Sequence, residues 1–200
     1  MTLHGWIAFV PVAIAVSALP GPAFLTVVSA GARFGFRASL AANAGVLVGD
    51  TIYFTIAACG LGTILATSQV AFEAVKILGA AYLTWLALRA LFGSRHEPLD
   101  AVKLGPRVFR TALGTLLANP KLILFISALV PPFVKTNSSV LPQFAILGLT
   151  FVASDALIYT VVGAFSSKIG NLAQNKVGRL IQRISGVAML GAASRIALER

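Results

Sequence analysis

The sequence predicts an all-α, polytopic membrane protein with six transmembrane helices, arranged as two inverted three-helix repeats. Three observations predict this: overall polarity, six long apolar runs, and an echo between the two halves of the chain. Hydrophobic residues make up 58% of the 200 residues and charged residues 11%, against roughly 25% charged in an ordinary soluble domain. The mean hydropathy is +0.89. So few charges cannot cover a water-facing surface of this size, so lipid must solvate most of it.

A helix crosses the hydrocarbon core with about 20 apolar residues. Runs of that kind lie at residues 5–29, 40–66, 71–92, 109–130, 141–166 and 180–198. The N-terminal MTLHGWIAFVPVAIAV lacks the basic start of a cleaved secretory signal, so it reads as a retained first span. The last run is the most polar, with Gln182, Arg183 and Arg195 near its ends. The polar stretch 93–106 reads as a linker between halves. The chain is thus one transmembrane domain: repeat 1 over about 1–92, linker 93–108, repeat 2 over about 109–200.

The net charge of +10 does not mark a nucleic-acid binder, because Lys and Arg sit in the gaps between runs instead of on one face. They encode orientation. Arg33, Arg37, Arg89, Arg95, Lys103, Arg107, Arg110, Lys168, Lys176, Arg179 and Arg183 fall on one side. Lys76, Lys135, Arg195 and Arg200 fall on the other. The positive-inside rule puts the first group in the cytoplasm and both termini in the periplasm. Cys59 stands alone, so no internal disulfide framework exists.

The halves echo each other. Pro20 and Pro120 each interrupt an opening span, Asp50 and Tyr53 lie in the second, and Asp155 and Tyr159 in the fifth. Lys76-x-x-Gly79-x-x-x-Leu83 matches Arg183-x-x-Gly186-x-x-x-Leu190. With three spans per half, the second copy enters the membrane upside down, as in many secondary transporters. Chance likeness between apolar helices is the competing account.

Asp50 and Asp155 fall near mid-bilayer, where a charged carboxyl facing lipid costs on the order of 3 kcal/mol. Each must face the bundle, be paired, or be protonated. They suit proton coupling or recognition of a substrate cation; a tie between helices is the plainer role. Gly45-x-x-x-Gly49 beside Asp50 fits close helix packing. Pro20-Gly21-Pro22 removes backbone donors deep in the first span. Irregular backbone at that depth is tolerated where it lines a cavity or is covered by protein. Asn119-Pro120-Lys121 is the counterpart in the fourth span, and Lys121 can meet a substrate carboxylate or pair with an aspartate. Tyr53 and Tyr159 can hydrogen-bond the carboxyls, stack over a cation, or simply pack. Metal ligation, cofactor binding and enzymatic chemistry are not expected: His4 and His96 stand near span ends, and no phosphate loop occurs. The rival to a coupled carrier is an uncoupled channel or membrane scaffold.

The chain resembles the lysine exporter (LysE) / homoserine-threonine exporter (RhtB) family of bacterial amino-acid efflux proteins. The residues carrying the resemblance are LPGPAFLTVVSAGARFGFRASLAANAGVLVGD, AACGLG and KILGAAYLTWLALRAL in the first half. In the second they are FRTALGTLLANPKLILFISALVPPFV and QFAILGLTFVASDALIY. The resemblance implies six helices in inverted repeats and proton-driven export of an amino acid, or a similar amphipathic metabolite, across a bacterial inner membrane. It carries functional expectations onto Pro20, Gly21, Pro22, Asp50, Asn119, Pro120, Lys121 and Asp155. The glycines within residues 31–35 offer a surface for a homodimer.

Overall fold

The computed structural model describes residues 1–67, 81, 84–85, 88, 107–118, 125–126, 130–135 and 138–168. Most of the third run, all of the sixth, and Asn119, Pro120 and Lys121 lie outside the described residues. Among the described residues the regular structure is entirely helical.

The first run is two helices, α1 (Leu3–Ala18) and α2 (Pro22–Phe34), bent by 58° at the break between them. Thr2 caps α1, its Oγ1 accepting from the Gly5 N–H at 3.2 Å. The break follows from proline sterics. A residue before proline is pushed out of the α region; Leu19 is extended (φ −69°, ψ 121°) and Gly21 likewise (φ −152°, ψ 179°). Pro22 then opens α2, where the missing N–H has no acceptor to lose.

Gly35 alone separates α2 from α3 (Phe36–Thr67). Its φ of +84° lies in the region closed to most L-residues, and its N–H bonds to Gly31 O at 3.0 Å. The second span therefore starts several residues earlier than its apolar run. Arg37 belongs to the first turn of the helix instead of to a loop before it. At 32 residues, α3 is about 48 Å long.

Helix α4 (Val108–Leu117) ends shortly before Asn119-Pro120. A 3-10 turn, Pro131–Phe133, packs Phe133 edge-on against Phe9, centroids 5.2 Å apart. Helix α5 (Val140–Lys168) matches the fifth run. Buried Gln143 pins the preceding loop: its Oε1 accepts from Lys135 N–H at 2.8 Å, and its Nε2 donates to Lys135 O at 2.9 Å and Ser139 O at 3.0 Å. By length and hydropathy α3 and α5 can cross a membrane, and α1 with α2 makes a third span if taken together.

The packing fixes helix direction. Gly45 meets Phe109, Gly49 meets Leu116, and Tyr53 meets Leu117, so α4 runs parallel to α3. Ser39 meets Gly163, Asn43 meets Thr160, and Phe54 meets Phe151, so α5 runs antiparallel to α3. Trp6 meets Thr150, Phe24 meets Tyr159, and Gly31 meets Ser166, so the bent α1–α2 runs with α5. These crossings use small residues. A Cβ at Gly45 would collide with the Phe109 carbonyl, and one at Gly31 with Ser166 Oγ. Gly31 is therefore spent on packing within the chain, which removes it from the surface expected for a homodimer.

Polarity is inverted relative to a water-soluble fold. Leu149, Leu157, Ile56 and Phe165 are exposed, whereas Asp50, Asp155, Asn43 and Ser17 are buried. That is the arrangement a bilayer requires of a bundle.

Candidate functional site

Asp50 stands near the middle of the Phe36–Gly60 apolar stretch of α3, and Asp155 near the middle of α5. Their exposures are 0% and 2%, so neither points into lipid. Both line one cavity of about 30 Å³. Among the described residues no donor hydrogen-bonds to either Asp50 oxygen. Among the described residues, the Asp155 carboxyl faces it.

The break of the first span reaches the same cavity. Ser17 and Leu19 from the end of α1, Gly21 from the break, and Ala23 and Phe24 from the start of α2 all line it. The ends of two helices thus meet beside two carboxyls. The end of α1 leaves carbonyls without intrahelical donors, and the start of α2 leaves amides without intrahelical acceptors. Tyr159 closes the cavity from α5 and packs edge-on against Phe24, ring centroids 6.0 Å apart.

Tyr53 is placed elsewhere. Its hydroxyl donates to Leu117 O at 2.5 Å, satisfying a carbonyl that the end of α4 leaves open. It ties α3 to α4 and does not line the cavity. Pro20 and Pro22 shape the break, while Gly21 contributes the cavity wall. Asn119, Pro120 and Lys121 lie outside the described residues.

Sequence reasoning did not single out Ser17 or Asn43, both buried and polar. Ser17 lines the cavity at 1% exposure. Asn43 is 4% exposed and joins α3 to α5, its Nδ2 donating to Ala156 O at 3.2 Å and Thr160 Oγ1 at 3.1 Å. The available signal was position: Ser17 sits three residues before Pro20 in an otherwise apolar turn.

The family described as LysE type translocator matches residues 14–200. A homoserine/homoserine lactone efflux protein of Salmonella typhi is 32% identical over 172 residues, 84% of this chain and 84% of its own length. A leucine efflux protein of Klebsiella pneumoniae is 30% identical over 195 residues, covering 92% of this chain and 91% of its own. An uncharacterized membrane protein of Vibrio cholerae is 33% identical over 175 residues, 85% of this chain and 84% of its own. No solved structure matches the chain significantly.

Proposed function

The chain belongs to the LysE type translocator family, a family of membrane transporters and not of enzymes, and on that premise we propose that it exports an amino acid or a related small amphipathic metabolite in exchange for protons. The observation that carries this reading is the cavity joining Asp50, Asp155 and the broken first span, midway along two helices long and apolar enough to cross a bilayer. Relatives named for efflux of homoserine and of leucine support the substrate class.

An amino acid is a zwitterion, and the site offers both polarities. Its ammonium meets Asp50 or Asp155, and its carboxylate meets the first-turn amides of α2, which carry the positive end of a helix dipole. Lys121 adds a cation for that carboxylate, with Asn119-Pro120-Lys121 as the second broken segment. Two carboxylates facing one another in a dry pocket repel, and a shared proton relieves that repulsion. Binding the substrate ammonium competes for the same negative charge. Protons entering and substrate leaving are thereby exchanged at one place.

The architecture proposed is six spans in two inverted repeats, residues 1–92 and 109–200 joined by linker 93–108. Helix direction supports it. Parallel α3 and α4 enter from the same side, so the chain joining them has to recross the bilayer, as a third span at 71–92 provides. The opening helices of the two halves then run in opposite directions. Rocking one repeat against the other alternates access. The protein is placed in the bacterial inner membrane with both termini periplasmic.

The test is counterflow of radiolabelled homoserine and leucine in proteoliposomes, followed by uptake driven by a pH gradient. Counterflow of either substrate, with pH-driven uptake lost in the Asp50→Asn, Asp155→Asn double variant, is the expected result. Unimpaired pH-driven transport by that variant refutes the coupling role.

A further inference from the structure

A serine or threonine buried in a helix has an acceptor close at hand, the carbonyl three or four residues back. Hydroxyls throughout this bundle use it. Thr26 donates to Pro22 O at 2.8 Å, Thr51 to Leu47 O at 2.8 Å, Ser154 to Thr150 O at 2.8 Å and Ser166 to Gly163 O at 3.0 Å. Ser17 does not. Its side chain is 1% exposed, and among the described residues its Oγ has no hydrogen-bond partner. It lines the cavity that Asp50 lines, and among the described residues neither oxygen of Asp50 has a donor.

The volume decides what these groups can hold together. At about 30 Å³, the cavity exceeds the roughly 10–15 Å³ that a single water needs, so it has room for a small ion with a water or two. A whole amino acid does not fit in this conformation. An anion is disfavoured by Asp50 and Asp155. Carboxyl, hydroxyl and the carbonyls of a broken helix are hard oxygen donors of the kind that hold sodium ions or protons in transporters.

We infer that Ser17 and Asp50, with Asp155 and Tyr159 facing them from α5, form a binding site for a single small cation: a monovalent metal ion or a proton carried on a water molecule. Its role as the coupling site rests on the exporter reading; its existence does not. Ser17 supplies an oxygen to the cation, so its hydroxyl, rather than its size, is what matters.

The experiment uses the purified full chain in detergent and follows its melting temperature, since a ligand that binds the folded state raises it. One arm titrates sodium chloride against choline chloride at fixed pH, and the other titrates pH in sodium-free buffer. Wild type is expected to respond in one arm, which identifies the cation. Ser17→Ala is expected to weaken that response about tenfold in concentration, or by about one pH unit, the loss of one hydrogen bond to a charged group. Ser17→Thr, which keeps the hydroxyl, is expected to titrate like wild type. A wild type insensitive to both probes, or a cooperatively melting Ser17→Ala with unchanged titrations, overturns the site. Counterflow of radiolabelled amino acid without ion gradients reads the exporter separately. Cation titration through Ser17 without counterflow keeps the site and removes the exporter; counterflow with an unaltered Ser17→Ala titration does the reverse.

Discussion

Asp50 and Tyr53 are one helical turn apart on α3, yet they face different neighbours: Asp50 the cavity, Tyr53 the end of α4. Their substitutions should separate accordingly. Asp50→Asn keeps the size and removes the charge, so pH-driven transport in proteoliposomes should fall at least ~10-fold, the effect of about 1.4 kcal/mol, while the protein still folds. Tyr53→Phe removes one hydrogen bond, worth about 1 kcal/mol. It should lower the melting temperature by a few degrees and leave the ratio of pH-driven transport to counterflow unchanged. The aspartates were legible in the sequence because a carboxyl at that depth is too costly to lack a reason. Ser17 and Asn43 were not. A lone hydroxyl or amide in an apolar run is usually satisfied by its own helix, and nothing in the sequence says which one is not.

At the scale of elements, the LPGP segment was readable because proline restricts both itself and the residue before it, which fixes where a helix stops and the next begins. The 58° bend was not readable, since it depends on what α1 and α2 each pack against. The length of the first loop was also hidden. Arg33 and Arg37 suggest a connection in water, but both belong to helices, with Gly35 alone between them. Gly35 has φ 84° and ψ 178°, a conformation that costs a residue with a side chain about 1–3 kcal/mol. Gly35→Ala should therefore lower the melting temperature although open space surrounds that position. Gly45→Val should destabilise by a comparable amount, about 1–3 kcal/mol, for a different reason: its methyls would drive α4 away from α3. The same thermal melts check both.

For the whole molecule, an all-helical membrane protein was legible from composition alone, because burial of backbone in lipid leaves few alternatives. Pairing among the helices was not, because apolar faces match one another without selecting a partner. Orientation offers a direct check. In a Cys59→Ala background, a membrane-impermeant maleimide should label Thr2→Cys in intact cells and Arg37→Cys only after permeabilisation. The opposite pattern would reverse the assigned sidedness without altering the helix packing.

The one-residue turn at Gly35 and the packing of α2 on α3 also bear on how the bundle can move. With one residue joining them and their sides packed together, α2 and α3 are expected to move as one unit. The backbone between Ala18 and Pro22, freed from helical bonding by its prolines, is then the natural hinge. Motion concentrated there would turn the wall bearing Gly21 and Phe24 against the wall bearing Tyr159, widening the space beside the carboxyls while leaving α1 seated on Phe133.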